Sequence, residues 1–437
     1  MTGFFETIRN AWKIPDLRKR ITYTLILLLI FRIGCFVPIP GLSAGAISSI
    51  LGENDTMNFL NTVSGDALKN AAIFAMSITP YINASIIVQL LTVAIPALER
   101  LAKDGGEEGK KKLGQISRYT TIGLALLQSF FIAYNARGSF SLQPVWFTII
   151  VVMASLAAGT AFLMWLGEQI TDKGIGNGIS LIIFAGIISG IPSTIISLYD
   201  VFFAAEGSNI VLGILFVSLI VLLFLAIIAM IIYITEAERR IPVQYAKRVV
   251  GRKMYGGQST IIPIKINSAG VLPIIFAMSI ISFPSVIISL FFSNADNAFV
   301  NGVKNFASTP WHPVVNAILV IAFTFFYSAV YFNPKQISDD LKDNGGFIPG
   351  IRPGKPTTDY IKSISNKTTM AGALFLAFIT VLPTLLQYIL RLVDIKFASV
   401  NLWLGGTSVL ILVGVALETV KQIESYMLAR HYKGFLE

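Results

Sequence analysis

Few side chains in this 437-residue sequence are placed to do bond chemistry. A single cysteine, Cys35, excludes an internal disulfide and a thiolate metal cluster. Two histidines, His312 and His431, cannot build a His-rich zinc or haem site. The string Gly174-Ile175-Gly176-Asn177-Gly178 is glycine-rich, but it lacks the Lys-Ser/Thr pair of a phosphate loop and follows no strand. Gly405-Gly406-Thr407-Ser408 fails the same test, and both read as tight turns opening a helix, with Asn177 or Ser408 helping its N-terminus. Neither an HExxH nor a GxSxG string occurs, and no Ser/Lys or Asp/Asp dyad is placed for intramembrane proteolysis. The expectation is a protein that is not an enzyme and needs no cofactor or metal. Charges inside apolar stretches would mark an ion or proton path. Here they are Arg32, Glu168 and Glu418, the last two near span ends. That sparse set argues against a proton-coupled pump. It leaves open a sodium-coupled symporter built from backbone carbonyls at broken helices.

The elements that hold these residues are dictated by composition. Hydrophobic residues make up 54% of the chain, charged residues 13%, and the mean hydropathy is +0.71. A soluble domain is about one quarter charged, so the chain uses lipid as part of its solvent. A bilayer core about 30 Å thick needs about 20 apolar helical residues. That template predicts ten spans, near 21–38, 70–95, 116–135, 146–169, 178–198, 210–234, 269–292, 313–333, 368–389 and 401–420. Pro80 and Pro383 fall inside two of them and are tolerated where neighbours re-satisfy the freed carbonyls. Of the 34 Lys and Arg, 28 fall in the tails and even-numbered loops or at their edges, and 5 fall on the other side. The asymmetry predicts both termini in the cytoplasm and explains most of the +10 net charge without nucleic acid. No cleavable leader is expected, because the first apolar run starts only at Ile21 and lacks a small-residue cleavage site.

Some segments do not span. In 3–14, Phe4, Phe5, Ile8 and Trp12 share one helical face opposite Arg9 and Lys13, as in a helix lying in the interface. Residues 41–69 are too polar and glycine-interrupted to cross, yet place Phe59, Leu60 and Val63 at helical spacing. They read either as an external loop or as a re-entrant segment in a protein-lined cavity. The loop 236–268 reads as a β-hairpin turning at Gly256-Gly257, with a β-branched run from Ser259 to Ile266. The loop 334–366 carries Asn344-Gly345-Gly346, Pro349-Gly350 and Arg352-Pro353-Gly354, which mark a rigid irregular connection. Two ordered basic loops suit docking of a macromolecule as well as they suit solvated connectors. Thr79, Asn83, Gln89 and Asn267 are uncharged polar residues in or beside spans. They serve either as interhelical hydrogen bonds or as a wettable seam.

Five strings then occur together and in order: FRIG with PIPG and ITPYINASIIVQLL between Phe31 and Leu91; FLMWLGEQITDKGIGNGISLIIFAGI from Phe162; QYAKR with NSAGVLPIIFA between Gln244 and Ala277; FNPKQISDDLKDNGGFIPGIRPGKPT from Phe332; and GGTSVLILVGVALE from Gly405. From about residue 16 onward the chain resembles the SecY family, the channel subunits of the bacterial Sec translocon. It is most similar to the housekeeping members of Gram-positive bacteria. The resemblance implies an all-α, ten-helix membrane fold of two inverted five-helix halves, 21–199 and 210–420, forming an hourglass pore. An amphipathic segment 1–20 precedes them and a cytoplasmic tail 421–437 follows. It implies a protein-conducting channel of the bacterial plasma membrane that passes unfolded secretory chains and releases apolar segments sideways. By motif position the pore ring is Ile78, Ile82, Ile179, Ile183, Ile275 and Ile411. The plug lies about 58–67, with Asn58, Phe59, Leu60, Asn61, Thr62, Val63, Ser64 and Gly65. Asn83, Gln89 and Asn267 lie on the lateral gate, and Arg252 and Arg352 dock the SecA ATPase or the ribosome. The implied partners are SecE and SecG in a heterotrimer, SecA, the ribosome, signal sequences with their presecretory chains, and the bilayer.

Overall fold

The computed structural model describes residues 4–43, 61, 64–103, 105–140, 143–199, 210–245, 248–250, 253–255, 259–267, 270–291, 300, 302–303, 306, 309, 311–393 and 406–433. In chain order, α1 is Phe4–Lys13, α2 Pro15–Gly34, α3 Thr79–Ala94, α4 Pro96–Lys103, α5 Gly106–Asn135 and α6 Val145–Lys173. Next come α7 Gly178–Ser189, α8 Ile191–Tyr199 and α9 Ile210–Glu236. Strands β1 Glu238–Tyr245, β2 Arg248–Val250, β3 Lys253–Tyr255 and β4 Ser259–Lys265 follow. The chain continues with α10 Leu272–Phe291, α11 His312–Tyr331, α12 Pro334–Asp343, β5 Gly346–Phe347, α13 Lys355–Val393 and α14 Gly406–Lys433.

A helix stands at each of the ten expected spans. Among the described residues, six spans are long and apolar enough to cross a bilayer unaided, or seven if α3 and α4, bent by 105°, count as one. The shortfall lies in α2, α5 and α10. Helix α2 carries Arg18, Lys19, Arg20 and Arg32, α5 opens with Glu107 and Glu108 followed by Lys110, Lys111 and Lys112, and the apolar part of α10 stops at Pro284. Many large apolar side chains point outward, among them Leu222, Leu225, Leu374 and Phe378. That is the expected dressing of helices solvated by lipid.

The second span differs most from its expectation. Residues 64–78 do not extend the helix: they run as successive turns, with positive φ at Asp66 (67°), Ala71 (47°) and Ser77 (51°). Non-glycine residues rarely adopt that region. The helix begins only at Thr79, so Pro80 sits in its first turn, where no N–H is needed, and bends nothing. Pro383, by contrast, lies inside α13 as expected.

The contacts divide the chain into two units. In the first, residues 64–78 wedge between α2, α5 and α6. Phe74 stacks between Phe31 (6.2 Å) and Phe162 (6.0 Å). Leu68, Ala71, Ala75 and Met76 join the buried cluster of Ala125, Ile132, Val152 and Leu156. Two glycines make the room. A Cβ on Gly34 would overlap the Phe74 ring, and one on Gly159 would overlap the Ile73 carbonyl.

A second junction in that unit is the turn Gly174–Asn177. Arg20 Nη1 donates to the Gly174 carbonyl (3.3 Å), and the Ile175 N–H donates to Thr24 Oγ1 (3.1 Å). The Gly176 N–H donates to Gln422 Oε1 (2.5 Å), and the Gly178 N–H to Thr171 Oγ1 (2.9 Å). Ala11, Leu17, Ile175 and Ile423 pack together beside it. The short helix α1 therefore buries Ala11, while Trp12 stays exposed.

In the second unit the two long basic loops fold onto each other. Strands β1 and β4 pair antiparallel, from Glu238 with Lys265 to Gln244 with Ser259. Strand β5 adds to the free edge of β1, with Gln244 opposite Phe347 and Tyr245 opposite Gly346. Beneath this sheet Ile241, Val243, Ile264, Leu341, Ile348 and Ile361 form their own buried cluster. The hairpin reverses between Val250 and Lys253, its innermost pair, rather than at Gly256-Gly257. Strands β2 and β3 pair as a separate two-stranded ladder, since unpaired strand amides and carbonyls cost free energy.

Candidate functional site

The first four of the six ring positions open two helices of the first unit. Ile78 is fully buried at the N-cap position of α3, and the Ile82 N–H donates to its carbonyl (3.0 Å), so the two side chains lie one turn apart. Ile179 and Ile183 repeat that spacing in the first turns of α7. Asn177 positions them: its side chain accepts from the N–H groups of Ile179 (3.1 Å) and Ser180 (3.3 Å), as its place in the glycine-rich turn predicts. Ser408 lies inside the first turn of α14. In the second unit Ile275 lies in the first turn of α10, half-buried, and Ile411 in the second turn of α14, buried.

Of the plug positions, Asn58, Phe59, Leu60, Thr62 and Val63 lie outside the described residues, and Asn61, Ser64 and Gly65 within them. Asn61 ties together the turn C-terminal to it. Its amide donates to Asp66 Oδ1 (2.7 Å), its Oδ1 accepts from the Lys69 N–H (3.1 Å), and its carbonyl accepts from Ser64 Oγ (2.8 Å). Ser64 is fully buried. Gly65 has φ +65°, and a Cβ there would lie 3.1 Å from both Arg32 Nη1 and Ser189 Oγ and 3.4 Å from the Gly186 Cα. The end of the plug string thus lies between α2 and α7, at a residue three positions past Ile183.

Two side chains of α2 and its cap hold that end. Arg32 Nη1 donates to the Gly65 carbonyl (2.6 Å), and its guanidinium lies 4.6 Å over the Phe36 ring. Cys35 Sγ donates to the Ser64 carbonyl (3.3 Å). A charge-assisted bond is about twice as strong as a neutral one. In the sequence, Arg32 stands out only as a charge in a span. The signal it carried is that an arginine at membrane depth must find a partner.

Asn83 is buried in α3, and Gln89 two turns on donates to Ser85 Oγ (3.4 Å). Asn267, also buried, has no hydrogen-bond partner for its Oδ1 among the described residues. Leaving such an atom unpaired costs about 1–3 kcal/mol. Arg352 is exposed on the turn after β5, which is tied down by the Thr357 hydroxyl donating to the Arg352 carbonyl (2.8 Å). Arg252 lies outside the described residues.

The family model described as SecY matches residues 72–420. A protein translocase subunit SecY of Halalkalibacterium halodurans is 44% identical over 441 residues, spanning 99% of this chain and 100% of that protein. Among solved structures, one describes a SecY whose plug domain stabilises the closed channel and maintains a membrane seal. It matches with a TM-score of 0.61 and 19% identity, over 93% of this chain and 92% of that one. Sec61 in a canine ribosome–channel complex matches with a TM-score of 0.58 and 17% identity, over 93% and 92%.

Proposed function

The chain belongs to the SecY family, and from that premise we infer how its residues make it a protein-conducting translocation channel. It is a multi-pass bacterial membrane protein and a transporter, not an enzyme. We assign its apolar waist to Ile78, Ile82, Ile179, Ile183, Ile275 and Ile411. An aliphatic constriction gates ions by dewetting and still yields to a passing polypeptide. We assign the plug to residues 58–67. Sideways release would use the seam bearing Asn83, Gln89 and Asn267, where apolar segments partition into lipid by their transfer free energies. The halves 21–199 and 210–420 are the moving parts of this reading, and residues 421–437 a cytoplasmic tail.

The observation that best supports it is the course of residues 64–78. They enter the helix array, are held by Arg32 and Cys35, and lead directly into the Ile78 and Ile82 pair. A solute symporter needs no such segment.

The excess of basic residues on one side supports a plasma-membrane topology with both termini in the cytoplasm. On that face the platform of β1, β4 and β5 presents Arg352 from a rigid base. An arginine there suits phosphate or carboxylate equally, so ribosomal RNA and an acidic SecA surface are both served. SecE and SecG are the expected small subunits, and energy comes from SecA, translation or the membrane potential.

The test is a crosslink. Cys35 is replaced by Ser, Ile82 by Cys, and a presecretory chain bearing one cysteine is stalled in transit. A disulfide that forms only with SecA or a ribosome present is the expected result. Its absence at Ile82, Ile179 and Ile275, with the substrate demonstrably engaged, would return these residues to ordinary packing.

A further inference from the structure

A cavity of about 550 Å³ opens in the second unit, and none of its lining residues is among those assigned to the channel. Its walls come from three helices. Phe325 and Phe332 stand at the end of the apolar α11, Lys335 in the first turn of α12, and Lys362, Ser365 and Asn366 on α13. Among the described residues, no aspartate or glutamate lines it. Lys335 and Lys362 are exposed, while Phe332 packs against the buried cluster under the sheet. The Asn333 side chain caps α12 by accepting from the Gln336 N–H (3.3 Å). The cavity therefore sits where an apolar helix ends and a basic loop begins, which is headgroup depth for a membrane protein.

The surface leading away from it continues the pattern. Lys362, Asn366, Met370, Leu374 and Phe378 follow one another at four-residue steps, so they form one ridge of α13. The ridge passes from basic to polar to apolar. Met370, Leu374 and Phe378 are all strongly exposed. A cationic pocket with neutral hydrogen-bonding groups and a greasy track below it has the polarity of a phospholipid in reverse. A water-soluble anion would have no use for the track. An apolar helix would leave two lysines without counter-charge.

We propose that this pocket binds an anionic phospholipid of the adjacent leaflet. Lys335 and Lys362 contact the headgroup phosphate and Asn366 its glycerol oxygens, with an acyl chain along Met370, Leu374 and Phe378. Basic pockets between membrane helices hold anionic headgroups through such contacts, and lysine stems reach the interface while their alkyl parts stay in lipid. This goes beyond the channel reading and does not depend on it.

The experiment is native mass spectrometry of the complex released from micelles containing phosphatidylglycerol or phosphatidylcholine. The expected result is retained phosphatidylglycerol on the wild type and about a tenfold or greater loss of it in a Lys335→Gln/Lys362→Gln variant. Phosphatidylcholine should be retained poorly by both. Leu374→Asn should weaken phosphatidylglycerol retention with both lysines intact. Equal retention of the two lipids, or indifference to both variants, would overturn the proposal. Displacement of phosphatidylglycerol by equimolar inorganic phosphate would overturn it in favour of a bare anion site. Protection of Lys335 and Lys362 from acylation in lipid-free complex, lost when a small subunit is removed, would overturn it in favour of a protein occupant.

Discussion

Replacing Arg32 by methionine isolates the bond that holds the end of the plug string. The side chain keeps an unbranched apolar stem of similar reach but loses its donation to the Gly65 carbonyl at 2.6 Å. A hydrogen bond to a charged group contributes about 1.5–3 kcal/mol, and each 1.4 kcal/mol is about a factor of ten in an equilibrium. The displaced form of the segment should therefore rise roughly 10- to 100-fold. With a small resting population of open channels, the leak rises in proportion. The assay is iodide efflux from proteoliposomes holding the complex without any substrate polypeptide. Arg32→Lys should fall between, since it keeps the charge but not the planar fork. Arg137→Gln removes the same charge from the exposed Arg137, which lies against Tyr134, and should leave the leak unchanged. A wild-type leak in Arg32→Met, with melting temperature and protease resistance retained, would refute the reasoning.

Other substitutions bear on the same parts. Gly65→Ala forces a left-handed alanine against Arg32 and Ser189, at a cost of about 1–2 kcal/mol; efflux should increase without loss of folding. Asn177→Ala removes the cap of α7 and should lower stability by about 1 kcal/mol, read by thermal unfolding in detergent. Arg352→Glu, on the exposed turn, should slow SecA- or ribosome-driven translocation in vesicles and leave the melting temperature in place. Arg118→Gln breaks a half-exposed ion pair to Glu168 (2.7 Å) and should change stability by less than about 1 kcal/mol.

What the sequence made legible was set by short-range rules. Asn177 before an apolar run is a helix cap in any context, and the β-branched run from Ser259 pairs as a strand. Long apolar helices announce themselves by length. The segment Asn70–Ile78 misled because its composition is apolar while its backbone is broken, and composition does not report φ. Its path depends on Gly34 and Gly159, which lie in other helices. The union of the two basic loops was equally hidden. It rests on Gly346 and Phe347 pairing with Gln244 and Tyr245, about one hundred residues away. The ring isoleucines differ from other isoleucines in nothing that periodicity can detect, so only the family motifs singled them out.

The glycine-rich turn at Gly174–Asn177 has a mechanical consequence. It fastens the base of α2, through Arg20 and Thr24, to the base of α7, and Gln422 of α14 secures the same point. Two rods riveted at one end behave as scissors. At 1.5 Å per residue, Gly186 and Arg32 lie about 12–15 Å out along the two blades, and Gly65 lies between them. Splaying the blades by about 5° separates them there by about 1.0–1.3 Å, enough to carry a 2.6 Å hydrogen bond beyond its working range. Such a joint turns a rotation too small to disturb its own four hydrogen bonds into the loss of the Arg32–Gly65 bond at mid-blade.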